Sequence, residues 1–136
     1  MNKRRVDDLI PQLIDYINDN NNKIKNSENK IPREFNGYIS NFGASIVQSG
    51  LLATVAFFSS DNANSNRDRK LLMSLILNII KEKEKKDEND TLLNYIIDNK
   101  DKIDLIKEEI IDIAVATKLA IRVFEFTEES SEEVNS

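Results

Sequence analysis

Residues 37–58, GYISNFGASIVQSGLLATVAFF, contain no Lys, Arg, Asp or Glu, although 32% of the chain is charged and charged sequence lies on both sides. An uncharged run of helix length calls for burial. At 22 residues it reaches the length of a membrane span of about 20 residues. Gly37, Ser40, Asn41, Gly43, Ser45, Gln48, Ser49, Gly50 and Thr54 dilute its apolar character, and no Lys/Arg-rich flank follows it. The run therefore reads as the central helix of a soluble helical domain rather than as a membrane span.

Periodicity supports that reading. Ile39, Phe42, Ile46, Ala53 and Phe57 share one helical face, and Val47, Leu51, Val55 and Phe58 occupy another, so neither face is left for water. Gly43, Ser49, Gly50, Ala53 and Ala56 would let neighbouring backbones approach closely. Two glycines inside a helix cost about 1 kcal/mol each against alanine, which contact has to offset. That contact is either packing within the bundle or docking to another subunit.

The order Tyr38, Phe42-Gly43-Ala44, Ile46, Gln48-Ser49-Gly50-Leu51-Leu52 and Val55-Ala56-Phe57 resembles the signature helix of the small subunit of type III-B CRISPR effectors, the Cmr RNA-targeting complex. The resemblance extends more loosely over residues 5–126, through the leucine-rich helix beginning near Arg67 and the ending Lys118-Leu119-Ala120-Ile121-Arg122-Val123-Phe124. It implies an all-helical, non-catalytic protein of antiviral defence. Such a subunit stacks in copies beside the guide-bearing backbone of the effector and helps cradle guide and target RNA.

Composition leads independently to a weaker form of the same expectation. A chain of 136 residues with 40% hydrophobic content supports one domain with one core. Three Gly and two Pro favour long helices over a turn-rich sheet, and the expected fold is an all-α bundle of about five helices with a buried central helix. The absence of Cys removes disulfides and thiolate chemistry; the absence of His removes the commonest general base and metal ligand. No cofactor or metal is expected. Met1 is followed by charged sequence rather than an apolar leader, so the expected location is cytoplasmic.

Five helical segments are expected. In the first, Val6, Leu9, Ile10, Leu13, Ile14 and Ile17 form an apolar stripe. Pro11 fits the first turn if Asp7 or Asp8 caps the helix, whereas a start near Lys3 requires a kink. Ser65 to Asp68 fits a capping box opening the third helix, which is expected to continue through Lys86. A short fourth helix follows Asp90, and a fifth runs from about Asp104 to Phe126. Residues 1–127 form the expected domain and residues 128–136 an acidic, disordered tail.

Charge is distributed unevenly. Glu125, Glu128, Glu129, Glu132 and Glu133 account for the whole net charge of −5, leaving 19 of the 24 acidic residues against 19 basic ones. An acidic tail of this kind can coexist with a local basic surface. On the third helix Arg67, Lys70, Lys81 and Lys85 fall on one stripe with Ser74 and Asn78, with Glu88 the only nearby acid. Lys118 and Arg122, one turn apart, form a second candidate RNA contact. The alternative roles are a solvated face for the stripe and macrodipole complementation for the pair.

Aromatic stacking is poorly represented on these basic faces, since Phe42, Phe57, Phe58 and Phe124 read as core and only Phe35 and Tyr38 as partly exposed. Contacts would then go to phosphate and sugar, without sequence reading. No catalytic residue is expected, because the acids Asp7, Asp8, Glu108, Glu109 and Asp112 lie on outward faces without a histidine or a phosphate-cradling loop. The competing expectation is a helical adaptor or regulator that binds protein without touching RNA.

Overall fold

The computed structural model describes residues 1–60, 66–81 and 90–127, the side chains of residues 66 and 67 excepted. Helices α1 (Lys3–Asn18), α2 (Arg33–Ser49), α3 (Leu51–Phe58), α4 (Asn66–Ile80), α5 (Leu92–Asp98) and α6 (Ile103–Ala120) surround one hydrophobic core, and the described residues form no strand longer than an isolated bridge. The all-α bundle is as expected. The central position belongs to α6, which touches α1, α2 and α4 and buries Ile106, Ile110, Ile113, Ala114, Ala116 and Ala120. Three of these are alanines, whose small side chains let the neighbouring helices come close.

The charge-free run does not form one helix. Gly50, at φ 91° and ψ 163°, ends α2 and precedes α3 in a conformation that glycine adopts without the cost borne by residues with a Cβ. Phe42 and Phe58 would lie about 24 Å apart along a continuous helix. Their rings are instead 5.1 Å apart, edge to face, so the chain folds back on itself at Gly50. The inner faces carry Phe35, Ile39, Phe42 and Ile46 on α2 and Leu51, Val55 and Phe58 on α3, all buried.

This corrects the expectation that neither face meets water. The outer faces keep Val47 80% exposed and Phe57 57% exposed, with Ala44, Gln48, Ala53 and Ala56 also exposed. Gly43 is not a point of close approach within the chain either, since a Cβ there would meet nothing within 4 Å. The same holds at Gly50, where backbone conformation alone calls for glycine.

Helix α1 starts at Lys3, with the Asn2 side chain accepting from the Arg5 N–H at 3.0 Å, and continues through Pro11 to Asn18. A start at Asp7 or Asp8 is thereby corrected. Pro11 takes an amide donor from the Asp7 carbonyl, but both residues are exposed and water can serve that carbonyl. Of the third helix as expected, Ser65, Lys85 and Lys86 lie outside the described residues. The fourth is α5, capped by Thr91, whose hydroxyl accepts from the Asn94 N–H at 3.1 Å.

The final helix stops short of Phe126. After Ala120 a 3-10 turn over Ile121–Val123 leads to extended backbone at Phe124. The Ile31 N–H donates to the Glu125 carbonyl at 2.8 Å and the Thr127 N–H donates to the Ile31 carbonyl at 2.9 Å, forming an isolated parallel bridge between Ile31 and Phe126. A helix cannot make this pairing, which is why the ending departs from the helical pattern. Thr127 Oγ1 also accepts from the Arg33 N–H at 3.0 Å, supplying the N-terminal cap that Pro32 lacks. Residues 128–136, the expected tail, lie outside the described residues.

Candidate nucleic-acid interface

The stripe expected on the third helix is only partly described. Lys70 is exposed and lines a shallow cleft of about 340 Å³ with Ser59, Ser74, Leu77 and Leu92. Lys81 lies just beyond the end of α4, where its ammonium is 2.6 Å from Asp90 Oδ2 and 5.7 Å from the centre of the Tyr95 ring. Its side chain is 11% exposed. Asp90 is therefore an acid in direct contact with the stripe, which corrects the reading of a ridge bordered only by Glu88. The Arg67 side chain and all of Lys85 lie outside the described residues.

Lys118 and Arg122 sit at the opposite end of the sequence but on a better-connected surface. Lys118 Nζ donates to Ser40 Oγ of α2, and Arg122 is exposed on the turn after α6. Ser40 shares a face of α2 with Arg33, about 10 Å along the helix. The Arg33 Nε donates to the Thr127 carbonyl at 3.0 Å, and Lys25 Nζ stands 5.6 Å above the Phe124 ring. Lys30 precedes Ile31 of the bridge. The fold thus gathers Lys25, Lys30, Arg33, Lys118 and Arg122 around the junction of α2 with the end of α6, with Glu28, Glu34 and Glu125 as the acids on the same segments. Arg33 was missed in the sequence because its proximity depends on the 31–126 pairing, which no local pattern signals.

The aromatic residues are distributed differently from expectation. Phe35 is buried at 1%, while Phe57 stands outside the core. The Arg69 guanidinium lies 5.1 Å from the centre of the Phe57 ring and 5.3 Å from that of Tyr38, joining α4 to both arms of the hairpin. One guanidinium nitrogen, Nη1, is buried without a hydrogen-bond partner, so the two rings are its main recompense for lost water. An i to i+4 search on one helix could not find this cluster, because its members come from three helices.

Among the acids, Asp112 is 2% exposed rather than outward-facing. Its Oδ1 accepts from the Asn2 N–H at 3.2 Å, and its Oδ2 is 3.1 Å from Arg5 Nη1. The carboxylate is thus held in a structural contact between α1 and α6. Asp7, Asp8 and Glu108 are exposed. Among the described residues no group of three or more Asp, Glu, His or Cys is arranged to hold a metal ion. Among the same residues, no helix is long and apolar enough to cross a membrane.

The outer side of the α2–α3 hairpin is built from residues of the charge-free run 37–58. The outer sides of α2 and α3 present Ser40, Asn41, Ala44, Val47, Ala53, Ala56 and Phe57 to solvent, with three cations beside them: Arg33 at the start of α2, Lys118 at Ser40 and Arg69 over Phe57. This outer side leaves two large apolar side chains, Val47 and Phe57, to water. It coincides with the residues that carry the resemblance noted in the sequence.

No curated protein and no solved structure gives a significant match to the chain. Residues 12–118, which include α2 to α5 and nearly all of α6, match the family described as CRISPR-associated protein (Cas_Cmr5). Because that match spans well over half of the sequence, the chain belongs to this CRISPR-associated family, the small subunit of the type III-B Cmr effector complex.

Proposed function

We propose that the chain is a non-catalytic structural subunit of the effector, which docks to neighbouring subunits, further copies of itself among them, through the outer face of the α2–α3 hairpin. In this reading it cradles guide and target RNA in antiviral defence. The observation that carries the docking is the exposure of Val47 and Phe57 on arms whose own residues from 37 to 58 are uncharged. Burying the Val47 and Phe57 side chains removes apolar area from water.

RNA contact is assigned first to Lys118, Arg122 and Arg33, which stand near the linked ends of α6 and α2, and second to Arg67, Lys70, Lys81 and Lys85. Arginine forks and lysine ammonium groups suit phosphate, and nothing in either group reads bases. Lys81 ranks lowest, since leaving Asp90 would uncover an acid. Guide pairing supplies the sequence specificity.

The test compares effectors assembled with Lys118→Ala/Arg122→Ala/Arg33→Ala or with Arg67→Ala/Lys70→Ala/Lys81→Ala/Lys85→Ala chains. Each lost phosphate contact should flatten the salt dependence of single-strand binding by about 0.7 in log–log slope, with sequence preference unchanged. Normal assembly with unaltered slopes for both sets would leave the subunit as an adaptor that binds protein only. Metal-dependent RNA cleavage by the purified chain would overturn the non-catalytic assignment.

A further inference from the structure

Arg69 is held in place but has no counter-ion. Its guanidinium lies over the Phe57 and Tyr38 rings, and neither Glu34, one turn before Tyr38 on α2, nor any other carboxylate of the described residues pairs with it. Nη1 is sealed from water without a hydrogen-bond partner. Ring faces offset only part of the hydration that a guanidinium loses, so donor capacity is left unmet. The adjoining side of α3 is apolar. Ala53, Ala56 and Phe57 are all exposed, and Ala53 precedes the other two by three and four residues, which puts them on one side of the helix.

We propose that Arg69, Phe57, Ala53 and Ala56 receive a segment of a neighbouring effector subunit that carries a carboxylate beside an apolar side chain, the carboxylate pairing with Arg69. This assignment rests on the reading of the hairpin as a docking element and names the chemistry of what docks there. Charge complementarity selects the occupant, because a planar guanidinium offers a carboxylate two parallel hydrogen bonds. The two rings fix the guanidinium beforehand, which lowers the cost of ordering it on binding. A phosphate backbone fits less well. It brings one charge per nucleotide and calls for a row of cations, whereas the next residue, Lys70, lines the cleft with Ser74 and Leu77 instead. An arginine between aromatic rings beside small apolar residues is the composition of an energetically dominant protein contact.

The test assembles the effector from equal amounts of wild-type and variant chain and counts each by native mass spectrometry. Arg69→Gln removes the charge and should be under-represented by roughly ten- to a hundredfold. Arg69→Gln incorporated like the wild type, with Val47→Glu excluded, would overturn the carboxylate contact and leave hairpin docking standing; equal incorporation of both would overturn both. Unchanged incorporation of Arg69→Gln with weaker RNA binding by the effector would overturn the protein occupant in favour of phosphate. A second variant covers the case in which Arg69→Gln lowers the unfolding midpoint of the free chain. Arg69→Lys keeps the cation and sets an amine near the partner's acid, so a water-soluble carbodiimide, which joins amine to carboxylate with loss of water, should link position 69 to an Asp or Glu of another subunit. Effectors that contain the Arg69→Lys chain and give no such link would overturn the proposal.

Discussion

Arg5 Nη1 lies 3.1 Å from Asp112 Oδ2, tying the first turns of α1 to the middle of α6. Its N–H is not aligned for a hydrogen bond, so the contact is an ion pair, with the carboxylate 2% exposed and the arginine side chain 38% exposed. The other carboxylate oxygen accepts from Asn2, the residue that caps α1. Asp112 thus holds both the cap and the charge of the adjoining helix start. Asp112→Ala should cost about 2 kcal/mol in urea denaturation, because it strands the Arg5 nitrogen and the Asn2 amide. A cycle with Arg5→Ala should show a coupling of about 1 kcal/mol. Strict additivity would show that the two groups do not act together.

Gly50 and Gly43 should respond oppositely to alanine. Gly50 is held at φ 91° with open space around its missing Cβ, so the cost of Gly50→Ala is backbone strain, about 1–3 kcal/mol. Gly43 lies inside α2, also in open space, and Gly43→Ala should stabilise the isolated chain by up to about 1 kcal/mol. Thermal unfolding of the two variants checks the pair of signs. A stabilising Gly50→Ala would mean that the chain does not turn there.

Thr127 should matter where its successors do not. Removing its hydroxyl by Thr127→Val uncaps the Arg33 amide, with an expected loss of about 1 kcal/mol. A chain ending at Thr127 should unfold within a degree or two of the full-length protein. A fall of many degrees on removing residues 128–136 would show that they pack against the bundle.

Burial pushes the Tyr16 phenol up to about 12, with Asp19 adding to the rise and a hydrogen bond from Asn78 opposing it. The folded state therefore holds this proton to higher pH than the unfolded chain, whose phenol ionises near 10. The resulting stabilisation is complete below pH 10 and is lost as pH rises toward about 12. Tyr16→Phe cannot ionise, so its stability relative to wild type should improve across that window. A difference between the two proteins that is flat from neutral pH to pH 12 would contradict the assignment.

Helical periodicity made the bundle legible. The stripes of α1 and α6 and the short helix after Asp90 follow from apolar spacing and capping chemistry. The fold-back at Gly50 was not legible, because a glycine within an apolar run reads equally as a tolerated helical residue or as a break. Only the Phe42–Phe58 contact distinguishes them. Asp112 reads as outward-facing because a helical acid usually is, and its partner Arg5 lies more than a hundred residues away. Arg33 and Arg69 were invisible as site residues for the same reason, since tertiary contacts between separate elements gather both. The charge-free run is buried only on the inner side of each arm, and Val47 and Phe57 on the outer side stay exposed.

The central proposal is that the outer face of the α2–α3 hairpin, around Val47, docks to another subunit of the effector. Val47→Glu tests it most directly, because Val47 is 80% exposed and such a surface change should leave folding within about 0.5 kcal/mol of wild type. Native mass spectrometry of effector complexes assembled with this variant should show them depleted of the small subunit, although the free chain retains its helical content and unfolding midpoint. Complexes carrying the Val47→Glu chain at wild-type stoichiometry would contradict the account.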